Sequence, residues 1–193
     1  MQSTPILQFG TSRFLQAHAD LFISQAMQDG QEVGPITVVQ SSGDPRRAAR
    51  LAALVGSYTV RVEGLIKGKR VQEALDVTSV ARTLSTSTDW DEVARVFVEE
   101  AKIVLSNTGD TGFAPQRCDS DPSFNQAMSY PAKLTHLLRL RFAINSAPIQ
   151  IMPMELIVDN GQVLKTRVIE LAQNDGLEFQ AYLERDVTWV NSL

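Results

Sequence analysis

Pro5-Ile6-Leu7-Gln8-Phe9-Gly10-Thr11-Ser12-Arg13-Phe14-Leu15 is an apolar strand that runs into a glycine and then into a helix start. A βα turn of this kind points backbone N–H groups at an anion, and a residue without Cβ lets the chain reverse tightly there. A nucleotide phosphate is therefore expected against Gly10, Thr11, Ser12, Arg13 and Phe14. Of the dinucleotide fingerprint G-x-G-x-x-G only the first glycine is present, since Ser12 and Leu15 fill the second and third places.

Working outward, four more short runs resemble that strand: Ile36–Gln40, Thr78–Ala81, Ile103–Ser106 and Ile149–Met152. Helix signals separate most of them, among them Asp44 before Pro45, and Asp89 before Trp90. Strands alternating with helices predict an α/β fold with a parallel sheet and right-handed crossovers. One stretch breaks the alternation. Ser57–Glu63 and Arg70–Leu75 show period-2 patterning about Lys67-Gly68-Lys69, which predicts a β-hairpin inserted over about residues 57–75, beside the sheet and outside the nucleotide cleft. Further helices are expected from Tyr130 through Phe142, from Gln162 and from Leu177.

The bulk numbers narrow the class. The chain has 193 residues, 44% hydrophobic, with a net charge of −4, which suits one ordinary domain and offers no basic face for nucleic acid. The lone cysteine, Cys118, leaves no internal disulfide and points to a reducing compartment, with the cytoplasm expected. No apolar run approaches the ~20 residues that span a bilayer, so no membrane partner is expected. His18 and His136 stand apart from each other and from Cys118, so no metal site is expected.

Ligands of an open parallel sheet bind outside the carboxyl ends of its strands. The segments expected there are Gly10–Arg13, Gln40–Gly43, Ser106-Asn107-Thr108, and Glu155 with Asp159-Asn160-Gly161.

Leu7–Leu15, Ser106-Asn107-Thr108, Pro131-Ala132-Lys133-Leu134-Thr135 and Glu155-Leu156-Ile157-Val158-Asp159-Asn160-Gly161 occur in that order, and together they resemble the polyol-specific long-chain dehydrogenases, also called the mannitol dehydrogenase family. The resemblance implies a Rossmann-like domain over residues 1–186 that binds NAD, with residues 187–193 beginning a connection to a helical second domain that carries the family's catalytic lysine in a K-x4-N-x2-H helix. Lys102 and Asn107 match part of that spacing, but on a strand they face opposite ways. Two departures stand out: Ser12 in place of the second glycine, expected to weaken binding, and Gly109-Asp110 after Thr108.

The cofactor candidates are Gly10, Thr11, Ser12, Arg13, Phe14, Gln40, Asn107 and Thr108. Gln40 stands where an acidic residue normally holds the ribose, so the residues leave NADP open beside NAD. Lys133 and Asn160 are the candidates on the substrate side, Asn160 as an amide donor to a carbonyl oxygen. The implied function is the nucleotide-binding half of an oxidoreductase acting on a sugar acid or polyol, inactive alone. Self-association through the exposed interdomain face is also expected. The alternatives are a stand-alone NAD-binding or interaction module and a methyltransferase, the latter disfavoured by Gln40.

Overall fold

The computed structural model describes residues 2–109 and 111–193, which leaves the Asp110 departure outside the described residues. Six parallel strands form the central sheet: β1 (Ile6–Phe9), β2 (Ile36–Gln40), β5 (Val80–Ser85), β6 (Ile103–Ser106), β7 (Ile149–Pro153) and β8 (Val187–Trp189). Their order is β5-β2-β1-β6-β7-β8. Because β3 (Tyr58–Ile66) and β4 (Lys69–Val77) lie outside this sheet, the order is the doubly wound 3-2-1-4-5-6, and the direction of winding switches between β1 and β6. The carboxyl ends of those two strands are where such a sheet opens a crevice.

The central strands β1, β2 and β6 are buried along nearly their whole length because helices cover both faces of the sheet. One face carries Leu7, Phe9, Val104 and Ile151, packed under α4 (Trp90–Glu99), α5 (Tyr130–Ile144), α6 (Asn160–Leu171) and α7 (Leu177–Arg185). The other carries Ile6, Ile36, Val38 and Leu105 under α1 (Arg13–Ala17), α2 (Ala19–Gln28) and α3 (Ala48–Ala52). Helix α5 starts where Ser129 caps it and Pro131 sits in its first turn, and it buries Leu134, Leu137 and Leu138.

The inserted hairpin is a ribbon of β3 (Tyr58–Ile66) and β4 (Lys69–Val77), joined at Lys67 and Gly68, both with positive φ, as a two-residue type I′ turn demands. Its base is tied to α2. The Tyr58 hydroxyl donates to Asp20 Oδ2 at 2.7 Å, and the Thr78 N–H donates to Ser24 Oγ at 2.9 Å. Burial pushes the Asp20 carboxyl up to about 6.

Three details differ from the sequence reading. The strand expected at Thr78–Ala81 lies at Val80–Ser85, because Thr78 and Ser79 are occupied bonding α2. The helix expected after Asp44 is a 3-10 turn, Pro45–Arg47, followed by the short α3. Within the stretch read as a connection, Val187–Trp189 form the sixth strand, with Trp189 packed against the core.

Candidate dinucleotide cleft

A cleft of about 460 Å³ opens at the carboxyl ends of β1, β2 and β6. Gly10–Arg13 supply one wall, Gln40–Ser42 with Arg47 and Arg50 a second, and Asn107–Gly109 a third. No residue of the β3–β4 ribbon lines it. A larger hollow of about 620 Å³ lies between residues 119–122 and α6, but the charges of its arginines are paired, Arg139 with Asp175 at 2.8 Å and Arg167 with Asp119 and Glu170. In the cleft three arginines, Arg13, Arg47 and Arg50, line the space, and no Asp or Glu does among the described lining residues.

Gly10 is fixed by a close approach. Its φ is +121°, its N–H donates to the Val39 carbonyl at 2.9 Å, and a Cβ there would lie 2.3 Å from the Asn107 carbonyl oxygen. Only glycine lets the β1 turn lie against the end of β6. Ser12 caps α1, its Oγ accepting from the Leu15 N–H at 3.2 Å, so the residue in the second glycine place is used by the helix itself. Thr11 has its carbonyl turned to Gln16 Nε2 and, at 3.4 Å, to Arg50. Phe14 does not line the cleft. Its ring stacks on His18 with centroids 4.6 Å apart and borders an apolar hollow that also contains Phe22, Met154, Leu156 and Leu193.

The second wall is clamped from beneath. Gln40 is buried, donating its Nε2 to the Asp44 carbonyl at 2.9 Å. The Ser41 carbonyl accepts from Lys133 Nζ at 2.9 Å, Gln126 Nε2 at 3.1 Å and Thr86 Oγ1 at 3.0 Å. Lys133 thus lies under the β2 loop, and burial pushes its ammonium down to about 8.

The third wall is held by Glu155, buried after β7. Its Oε1 accepts from the Thr108 N–H and the Thr108 hydroxyl, both at 3.0 Å, and its Oε2 from Ser106 Oγ at 3.0 Å. Asn107 donates to the Met154 carbonyl at 2.6 Å. Asn160 is fully buried. Its Nδ2 donates to the Glu155 carbonyl at 3.0 Å and to Ser192 Oγ at 2.9 Å, and its Oδ1 accepts from the Ser192 N–H at 3.0 Å.

Six of the expected cofactor residues, Gly10, Thr11, Ser12, Arg13, Asn107 and Thr108, therefore line the cleft, and with Gln40 they make seven of the eight. Phe14 faces elsewhere. Lys133 and Asn160 are not brought together, one sitting behind the β2 loop and the other behind β7. Sequence reasoning placed Ser41 and Ser42 at the binding edge within Gln40–Gly43 and named Glu155 there too, but it did not pick out Arg47 and Arg50 as lining groups or Glu155 as the brace, whose signal was a lone acid beside a polar strand end. Among the described residues no cluster of three or more His, Cys, Asp or Glu is placed to hold a metal, and no helix is long and apolar enough to cross a membrane.

The family model of the mannitol dehydrogenase Rossmann domain matches residues 4–193. The chain belongs to the mannitol dehydrogenase family. Within that family it is 33% identical over 187 residues to altronate oxidoreductase of Bacteroides thetaiotaomicron, covering 93% of this chain and 38% of that one. It is 28% identical over 197 residues to altronate oxidoreductase of Halalkalibacterium halodurans, covering 97% and 38%. The chain therefore spans about two fifths of the length of these family members. The fold also matches a D-sorbitol dehydrogenase in substrate-free form, with a TM-score of 0.78. It matches the Pseudomonas fluorescens mannitol 2-dehydrogenase ternary complex with NAD and D-mannitol, with a TM-score of 0.77. Both are 17% identical, covering 97% of this chain and 41% of theirs.

Proposed function

We propose that this chain is the nucleotide-binding half of an oxidoreductase that moves hydride between a nicotinamide dinucleotide and a sugar acid or polyol, with the tagaturonate/altronate pair as the substrate class. The observation that carries the reading is the cleft at the switch point, with three arginines and no described carboxylate, in a chain related to altronate oxidoreductases. The dinucleotide fits this site because Gly10 brings the β1 turn close against Asn107 and leaves Thr11, Ser12 and Arg13 on the open side. The bound nicotinamide would supply or accept the hydride. Arg13, Arg47 and Arg50 would hold the phosphates, and Asn107 and Thr108, kept in place by Glu155, would border the nicotinamide ribose.

Reduction of a carbonyl also needs a proton donor within hydrogen-bond reach of the developing alkoxide, a contribution of roughly 10²–10⁴-fold. Lys133 is committed to the Ser41 carbonyl and Asn160 to Glu155 and Ser192. Neither lines the cleft, so the isolated chain is expected to bind cofactor without turnover. The apolar hollow bordered by Phe14, Phe22, Leu156 and Leu193 is the surface where a catalytic domain, or a second copy, would pack. Cys118 is free, which fits a reducing compartment, and the cytoplasm is the proposed location.

The test is calorimetric titration of the chain with nicotinamide dinucleotides, alongside a spectrophotometric assay with altronate, mannonate and mannitol and their keto partners. Binding without turnover is expected. Turnover that disappears in Lys133→Ala would show that this chain carries its own acid–base group.

A further inference from the structure

The β2 wall decides which dinucleotide the cleft takes. In an NAD site an Asp or Glu at the end of the second strand accepts from the ribose hydroxyls and repels a 2′-phosphate. Gln40 holds that place without charge, and its amide is turned inward, Nε2 to the Asp44 carbonyl at 2.9 Å and Oε1 accepting from Ser85 Oγ at 3.4 Å. What the cleft meets beyond it is Ser41, Ser42, Arg47 and Arg50. The acid nearest in sequence, Asp44, is bound by Arg46 through two contacts of 3.0 Å and lies 3.7 Å from Arg47, so two cations outweigh its single charge.

The loop is also rigidly placed. Lys133, Gln126 and Thr86 all donate to the Ser41 carbonyl, and a Cβ on Gly43, whose φ is +62°, would lie 2.8 Å from Ser87 Cβ. Lys133 brings a fourth cation to the underside of the same loop. A wall of two hydroxyls and surplus positive charge, with no free carboxylate on it, is complementary to a dianionic phosphomonoester.

We infer that this cleft selects NADP(H) over NAD(H), with Ser41, Ser42 and Arg47 receiving the 2′-phosphate. The inference rests on the nucleotide-binding function proposed above. It is tested by calorimetric titration of the chain with NADP⁺, NAD⁺, adenosine 2′,5′-bisphosphate and 5′-AMP. NADP⁺ is expected to bind roughly tenfold tighter than NAD⁺ or better, as one charge-assisted contact allows, and the bisphosphate to bind tighter than 5′-AMP. In Arg47→Ala the NADP⁺/NAD⁺ affinity ratio should fall toward one. Equal or tighter binding of NAD⁺ would overturn the preference and leave the nucleotide site standing. Failure of both dinucleotides to bind would overturn the nucleotide site itself, and the preference with it. An Arg47→Ala protein that keeps the wild-type ratio would overturn the assignment of the 2′-phosphate to Arg47.

Discussion

Arg47 on the β2 side of the cleft touches Asp44 only at 3.7 Å, and Arg50 reaches the Thr11 carbonyl only at 3.4 Å; across the cleft Thr108 and Asn160 donate to Glu155 and Asn107 to the Met154 carbonyl, at 2.6 to 3.0 Å. Both walls are polar, and both sit at the carboxyl edge of the same sheet. Their difference is one of spare valence. Groups that keep unspent hydrogen-bonding capacity on an open surface are available to a ligand, whereas buried groups must spend theirs on each other to avoid the cost of desolvation. The β2 side is a binding surface, and the β6–β7 side is a brace that fixes where the nicotinamide end would lie.

The largest effect should come from removing the brace. Glu155→Ala leaves the Thr108 N–H and two hydroxyls without their acceptor, and each orphaned donor costs on the order of 1–3 kcal/mol. A loss of about 3 kcal/mol in urea denaturation is expected, and a loss below about 1 kcal/mol would mean that the wall is not held by this carboxylate. Gly10→Ala comes next. It forces a Cβ against the Asn107 carbonyl at a φ that side chains rarely adopt, with an expected destabilisation of about 2 kcal/mol. Because Gly10 joins the two walls, the same variant should also weaken dinucleotide binding. Unchanged affinity in calorimetry would show that the β6 wall contributes nothing to the site.

Lys133 tests the binding wall through pH. Its ammonium is pushed down to about 8 by burial, so the charge beneath Ser41 is present at pH 7 and mostly gone by pH 9. Dinucleotide affinity should therefore fall as pH rises through about 8, by roughly fivefold or about 1 kcal/mol, and Lys133→Met should flatten that dependence. Stability moves the other way. A lysine whose folded value lies below its ordinary 10.5 holds fewer protons in the native state between the two values, so stability should rise from about pH 8 toward 10.5. Affinity that is flat from pH 7 to 9 in the wild type would remove Lys133 from the binding wall.

The parallel sheet, the βα turn at Gly10 and the inserted hairpin were legible in the sequence because each has a local cause: β-branched runs, a turn glycine, period-2 alternation. The sheet membership of Val187–Trp189 was not, since three residues carry no period and the pairing partner, Ile149–Ile151, lies far away in the chain. The site was legible at its glycine and its strand ends but not in its pairings. Lys133 and Asn160 looked alike as polar residues near a cleft, and only their partners show that one is clamped to Ser41 and the other to Ser192. Glu155 was visible as a strand-end acid, yet its role depends on Thr108 and Ser106, 47 and 49 residues earlier.

The smallest expected effect is at Ser12, where the two walls meet the first turn of α1. Its hydroxyl accepts from the Leu15 N–H, which stabilises the helix start, and its Cβ stands where the second fingerprint glycine would let the backbone approach a pyrophosphate. Ser12→Gly removes both. The φ of −70° and ψ of 150° are open to any residue, so the substitution introduces no strain, and loss of a serine cap to glycine costs only a few tenths of a kcal/mol. Against that, the freed backbone should tighten dinucleotide binding by roughly twofold to threefold, less than 1 kcal/mol. Calorimetry of the two proteins separates the effects. Looser binding in the glycine variant would mean that the capped turn positions the arginine wall, and that Ser12 belongs with the brace.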